Sequence, residues 1–279
     1  GRGGYGQLGD GAAVVRLTPV TVSGLTGATE LAAGGLHTCA LLGDASVRCW
    51  GDDTSGQLGT GSSSAGQANT PVAVVGLSGP VVALDTGTFH TCAVIDDGTV
   101  QCWGNNGDRR LGATTTSDRT STPVTVTGLT DVVDVAAGDR HTCALTGAGA
   151  VRCWGRNLDG QLGDGTDQAT TSLTTPVAGG AVAVAVGEEH SCALLEDGTV
   201  RCWGDNGYGA TGSPTTTLTV LTPTAVAGFA GATMLSAGGD NTCATTATAL
   251  WCWGFNFSGQ LGPSSTADRS STPVRVLGL

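Results

Sequence analysis

Gly138-Asp139-Arg140-His141-Thr142-Cys143-Ala144-Leu145-Thr146-Gly147-Ala148-Gly149-Ala150-Val151-Arg152-Cys153-Trp154-Gly155 holds the pattern from which the architecture follows. Its two arms alternate with period two, not 3.6, and a Gly-rich turn separates them, so it reads as a hairpin of two short antiparallel strands. The first eight residues recur at 34–41, 87–94, 187–194 and 238–245, and successive copies are 53, 51, 49 and 51 residues apart. Each copy runs on to Cys-Trp-Gly, at Cys49, Cys102, Cys153, Cys202 and Cys252. A turn of the type Gly-x-Asn-x-x-Gly-Gln-Leu-Gly follows, clearest at 155–163 and 254–262, and a Thr-Pro-Val strand closes the unit, as at Thr70-Pro71-Val72 and Thr122-Pro123-Val124.

Each unit therefore carries four short strands, exemplified by Val132–Ala136, His141–Thr146, Ala150–Trp154 and Val124–Val126. Four-stranded units repeating at about 50 residues are the mark of propeller blades. The expected fold is all-β, a β-propeller of four-stranded antiparallel blades, with units at 28–77, 80–129, 131–178, 181–228 and 232–279 and a partial one at 1–25. A proline begins one strand per unit, which suits an outer edge strand that can spare an N–H. Both ends cut the repeat. Residues 1–9 read as the turn that follows a Cys-Trp, Leu279 stops where the next innermost strand is due, and six Thr-Pro-Val-type segments, counting that at Pro19, face five hairpins. The surplus outer strand is expected to close a ring or to belong to another blade, in an excerpt of a longer chain or one whose leader was removed.

Composition limits the partners. The 23 acidic residues outnumber 12 basic ones for a net charge of −11, and every basic residue is arginine. Such a chain repels phosphate backbones, so no nucleic-acid partner is expected. The strongest apolar run, Ala181–Val186, is far short of the 18 or so residues of a membrane span, so none is expected.

The recurring Gly-x-x-His-Thr-x-Ala-Leu, Val-x-x-Trp-Gly-x-Asn and Gly-Gln-Leu-Gly resemble the regulator of chromosome condensation repeat family over essentially the whole chain. The resemblance implies a propeller, usually seven-bladed, of which about one and a half repeats are absent here. It leaves function open, because one fold hosts many functions. The founding type promotes guanine-nucleotide exchange on a small GTPase and docks on chromatin, which calls for basic surface. A plant relative senses UV-B through tryptophans in Gly-Trp-Arg-His-Thr motifs, but Gly35, Thr88, Asp139, Glu188 and Gly239 stand in those places. Secreted bacterial relatives include an inhibitor that grips β-lactamases with one ring face, and this is the nearest mechanistic analogy.

Ten cysteines fall into five pairs, Cys39 with Cys49, Cys92 with Cys102, Cys143 with Cys153, Cys192 with Cys202, and Cys243 with Cys252. In the first four, the partners lie equidistant from a turn such as Asp96-Asp97-Gly98, which sets them opposite each other at about 4.5–5.5 Å between Cα atoms, within disulfide reach. The fifth spacing is one residue shorter, and its turn shortens to two residues near Ala247-Thr248, so the pairing survives. Disulfides at this density point to an extracellular, cell-surface or periplasmic setting. The rival reading sets His37, Cys39 and Cys49 on one face as metal ligands; wide cysteine spacing and Asn241 in the fifth copy argue against it.

The histidines, His37, His90, His141 and His190, all share one repeat position, as do Trp50, Trp103, Trp154, Trp203 and Trp253. A catalytic group normally occurs once, whereas a structural group repeats with the blade, so these read as packing and hydrogen-bonding residues. Trp251 is out of pattern and is expected to be exposed. No catalytic set, metal or cofactor is assigned. Asn256-Phe257-Ser258 matches a glycosylation acceptor, a weak signal.

Function is sought where the copies disagree. The two residues inside each Gly-x-x-His turn vary: Gly35-Leu36, Thr88-Phe89, Asp139-Arg140, Glu188-Glu189 and Gly239-Asp240. Leu36, Phe89, Asp139, Arg140, Glu188, Glu189 and Asp240 are the candidate binding residues, with Phe89 and Arg140 as anchors for an unidentified protein partner. The expected function is a secreted or cell-surface protein-binding scaffold. The alternatives are a nucleotide-exchange factor for a small GTPase and an enzyme in the central channel, the latter marked by convergent, non-repeating carboxylates.

Overall fold

The computed structural model describes residues 1–62, 66–170, 172–214 and 217–277. Among them are twenty strands and one 3-10 turn, Gly107–Arg109, and the strands form five four-stranded antiparallel sheets, each of four strands consecutive in the chain. The chain divides into two compact units, Gly1–Ala137 and Gly138–Leu279. The first unit holds β1 (Ala28–Ala33), β2 (His37–Leu42), β3 (Val47–Asp52), β4 (Gln67–Ala73), β5 (Val81–Thr86), β6 (His90–Ile95), β7 (Val100–Asn105), β8 (Arg119–Thr125) and β9 (Val132–Ala137). The second holds β10 (His141–Thr146), β11 (Val151–Gly155), β12 (Thr174–Val177), β13 (Ala181–Val186), β14 (His190–Leu195), β15 (Val200–Asp205), β16 (Thr219–Ala225), β17 (Ala232–Gly238), β18 (Asn241–Thr246), β19 (Leu250–Phe255) and β20 (Arg269–Arg275).

The hairpin reading holds in register. Cys143 faces Cys153 and Thr142 faces Trp154 across β10 and β11, as Cys192 faces Cys202 across β14 and β15. All five cysteine pairs are bonded, with Cα separations of 4.0–4.1 Å. In the short fifth copy, Thr246 N–H meets the Ala249 carbonyl at 2.8 Å around the two-residue loop, and Cys243 still faces Cys252. Each disulfide ties the two middle strands of a sheet; both cysteines are fully buried in the first four, while in the fifth Cys252 is buried and Cys243 only partly so.

The outer strands differ from expectation at their prolines. Pro71, Pro123 and Pro273 sit in the interior of β4, β8 and β20, not at their first residues. The register breaks there, between Cys49 and Gly51, Cys102 and Gly104, and Cys252 and Gly254 of the facing strands. A bulge on an edge strand leaves the proline where no ladder N–H is required. The surplus segment around Pro19 forms no ladder in the structure, and the expectation for Leu279 lies outside the described residues.

Adjacent sheets within a unit pack through the repeated residues. In the first unit, Trp103 of β7 is fully buried among Leu41, Leu58, Val81 and Leu84 and donates its indole N–H to the Gln57 carbonyl at 2.9 Å. Gln57 belongs to the Gly-Gln-Leu-Gly turn that follows the preceding sheet's third strand. Trp50 does the same to Gln7, Trp203 to Gln161 and Trp253 to Ala210, at 2.9–3.0 Å. The last glycine of the turn lies directly beneath the ring. A Cβ on Gly163, at φ +66°, would stand 2.8 Å from the Trp203 indole, so only glycine fits.

Candidate functional site

The repeated polar residues are spent on the fold. His37 Nε2 lies 2.9 Å from the Thr91 hydroxyl of the next sheet, and that hydroxyl donates to the Gln57 carbonyl at 2.9 Å. With its proton so used, Thr91 accepts from His37, which fixes the Nε2–H tautomer. His141 with Ser191 and His190 with Thr242 repeat the contact at 2.8 Å each. Burial alone pulls the His37 and His190 pKa values down to about 4, so both rings are neutral at pH 7. Asn241, in the fifth copy, turns inward on its own sheet and donates to the Phe255 carbonyl at 2.7 Å. The cysteines required by the metal alternative are bonded to one another, and among the described residues no group of three or more His, Cys, Asp or Glu side chains is arranged to hold a metal ion.

The turn asparagines are structural as well. Asn157 accepts the Leu162 N–H at 2.9 Å, and Asn256 accepts the Leu261 N–H at 2.9 Å. The Asn256 amide donates to the Ala267 carbonyl at 2.7 Å from a buried position, which disqualifies Asn256-Phe257-Ser258 as a glycosylation acceptor in the folded chain. Trp251 is half-buried, its ring edge-on to Phe229 at 6.1 Å between centroids, and thus less exposed than expected.

The variable turn residues project from the tips. In each of the first four copies, the Gly N–H bonds to the His carbonyl at 2.9 Å, closing the turn and leaving the two intervening residues at its apex. In the first unit, Leu36 and Phe89 are half-buried, less free than surface anchors would be, and the Gly35 N–H approaches the Gly87 carbonyl of the neighbouring turn at 3.4 Å. In the second unit, three turns are bonded side by side, Asp139 N–H to the Glu188 carbonyl at 3.3 Å and Glu188 N–H to the Gly239 carbonyl at 2.8 Å. Asp139, Arg140, Glu188, Glu189 and Asp240 are therefore brought together.

Arg140 is exposed and lies 3.1 Å from Asp139 and 3.9 Å from Glu189. Glu189 also meets Arg156 at 3.8 Å and accepts from the Gln161 amide. Burial, reinforced by Asp159 and Asp139 and opposed by Arg156 and Arg140, pushes the Glu189 carboxyl up to about 7. Glu188 is raised by burial and by the nearby Asp240 and Asp139 charges. Four of the five side chains gathered here are acidic, and Arg156 joins Arg140 as a second cation among them.

Two groups escaped the sequence reading. On the innermost strands of the first unit, Glu30 of β1, Asp85 of β5 and Asp134 of β9 converge, and burial first, then the other two carboxylates, lifts Asp85 to about 7. Asp85 accepts the Ala137 N–H at 2.8 Å, and Glu30 accepts from the Leu84 N–H. Asp85 and Glu30 thus cap the unpaired edge of the next innermost strand, while Asp134 accepts the Val135 N–H of its own strand at 2.9 Å. In the second unit, Tyr208, Phe255 and Phe257 form a chain of rings, with 5.0 Å between successive centroids. The signal available for the rings was that aromatics stand in turn positions where the other copies mostly carry small or polar residues.

Comparison with known proteins agrees with this architecture. The chain is 35% identical over 176 residues to the human E3 ubiquitin-protein ligase HERC2, a match covering 61% of the chain and 4% of that protein. It is 36% identical over 166 residues to human Regulator of chromosome condensation, covering 58% and 39%, and 34% identical over 169 residues to the Arabidopsis thaliana Ultraviolet-B receptor UVR8, covering 59% and 38%. The matched stretches thus span two-fifths or less of these relatives. Among solved structures, Prp20p from Saccharomyces cerevisiae superposes with a TM-score of 0.80 at 25% identity, over 90% of this chain and 63% of that one. Human WBSCR16 gives 0.78 at 24% identity, over 88% and 66%. The model of the RCC1-like domain matches residues 1–279, and with its stapled four-stranded sheets, shared Gly-Gln-Leu-Gly turns and His–Thr contacts the chain belongs to the RCC1-like domain family.

Proposed function

We propose that this chain is a protein-binding propeller scaffold of the cell surface or secretome, which engages its partner through the variable Gly-x-x-His turns. One observation carries the reading. The repeated His, Trp, Asn and Gln side chains are occupied within the fold, whereas Arg140 and Glu188 project from a bonded row of turns. Five disulfides support an oxidising compartment. The structure of Prp20p is described with its binding to Gsp1p and histones, so a related fold serves protein recognition.

The enzyme alternative draws on Glu30, Asp85 and Asp134, the kind of convergent, non-repeating set that would mark one. Two of the three hold backbone N–H groups of a neighbouring strand, a structural task, and the scaffold reading is preferred. The exchange-factor alternative draws on the family alone.

The test is capture of partners from the extracellular fraction of the source organism, with wild type and with Arg140→Ala and Phe89→Ala variants. A specific partner lost with Arg140→Ala while the melting temperature is kept supports the scaffold. Retention by both variants, or free thiols in the native protein, overturns the assignment.

A further inference from the structure

We propose that the aromatic chain of the second unit, Tyr208, Phe255 and Phe257, together with Asp205 and Asp240, is a docking site for a lysine- or arginine-bearing segment of a partner protein. Tyr208 is 39% and Phe257 62% exposed, in a protein with only 4% aromatic residues. Tyr208 and Phe257 come from two consecutive turns of the same kind, β15 to β16 and β19 to β20, and Phe255 is the last residue of β19. They form one patch because Tyr208 meets Phe255 edge-on at 82° and Phe255 leans on Phe257 at 38°. Tyr208 and Phe257 are not part of the interior, whereas Trp203, Trp253 and Leu261 are fully buried without them.

Charge selects the occupant. Asp205 sits three residues before Tyr208 and takes the Gly207 N–H at 3.1 Å, which anchors the carboxylate at the base of that turn. The Asp240 carbonyl accepts the Phe255 N–H at 3.1 Å, which ties the Asp240 turn to the backbone of the residue that carries the central ring. Burial raises both carboxyls, and Asp205 is raised further by Asp159 and Asp240. Neither Asp205 nor Asp240 has an ion-pair partner among the described residues. Arg269, the cation beside this turn, spends a donor on the Gly207 carbonyl at 2.6 Å. Half-buried carboxylates without an ion-pair partner among the described residues, on segments bonded to those that carry the exposed rings, favour an ammonium or guanidinium that stacks on a ring and pairs with an acid. An anionic or purely apolar partner would leave the carboxylates uncompensated.

This inference rests on the protein-binding reading and names the partner's chemistry. The probe is a fluorescently labelled arginine octapeptide, titrated against the full chain at physiological salt and followed by anisotropy. Tyr208→Ala/Phe257→Ala, which leaves net charge unchanged, and Asp205→Asn/Asp240→Asn are each expected to weaken binding about five-fold or more. Glu196→Gln/Asp197→Asn removes the same charge from the turn at the opposite end of the β14–β15 hairpin from Asp205, remote from the patch within the same unit, and is expected to change affinity less than about two-fold. Equal loss in the remote variant, binding unaltered by the patch variants, or no saturable binding by wild type overturns the proposal. A captured partner insensitive to the patch variants but lost with Arg140→Ala removes this site and leaves the scaffold reading standing.

Discussion

His190 reaches out of its own sheet to Thr242 of the next, Nε2 to hydroxyl at 2.8 Å, and the Thr242 hydroxyl donates a hydrogen bond to the Ala210 carbonyl at 2.9 Å. That carbonyl also accepts the Trp253 indole N–H at 2.9 Å. A single backbone oxygen of one turn thus receives two side chains of the next sheet, and the histidine completes the clasp. With Gln161 as acceptor and Ser191 and Trp203 as donors, the same clasp recurs one step earlier.

His190→Ala should leave the buried Thr242 oxygen without its donor and cost about 1–3 kcal/mol, read by urea unfolding. A double-mutant cycle with Thr242→Val should return a coupling of about 0.5–3 kcal/mol, since the groups share one network. Additivity would show that the ring serves only as filler.

Trp203→Ala should cost about 3–5 kcal/mol, as expected for a large buried side chain. Trp251→Ala, at a half-buried ring, should cost clearly less. Gly163→Ala should also destabilise, because its Cβ has no room beneath Trp203 and the backbone φ is +66°. Equal melting temperatures for Trp203→Ala and Trp251→Ala would contradict the packing described.

Cys92→Ser/Cys102→Ser opens a closed loop of about 11 residues and should lower stability by roughly 2–3 kcal/mol, less any strain released. Mass spectrometry of unreduced digests should recover five linked peptides, each within one hairpin. Links between hairpins would refute the pairing.

Stability should fall as pH rises from about 6.5 to 8. Asp85 and Glu189 titrate near 7 in the fold and near the ordinary carboxylate value when unfolded, so the native state binds more protons between those values. Buried His37 and His190, near 4 in the fold, act oppositely between about 4 and 6.5, where the unfolded chain binds the extra proton. Asp85→Asn keeps an acceptor for the Ala137 N–H and should flatten the alkaline slope. A slope unchanged in both Asp85→Asn and Glu189→Gln would rule out these carboxyls as its source.

Much of this molecule follows from local rules that repeat. Alternation of period two sets the hairpins, the symmetric placement of Cys143 and Cys153 about one turn sets their disulfide, and the shortened loop before Cys252 confirms the register from within the chain. These are legible because each depends on residues close in sequence and is written five times. The Pro123 bulge was misjudged because proline's missing N–H is compatible both with a strand start and with an interior bulge, and only the facing strand tells them apart. The proposed site was hidden for a related reason. Nothing local shows that Tyr208 will meet Phe255 from a turn about 50 residues later, that Glu30, Asp85 and Asp134 will converge, or that Asp240 will lack a counter-ion. Those facts arise when separate blades are packed side by side, because side-chain proximity and desolvation depend on the neighbouring blade and not on the residues that flank each position.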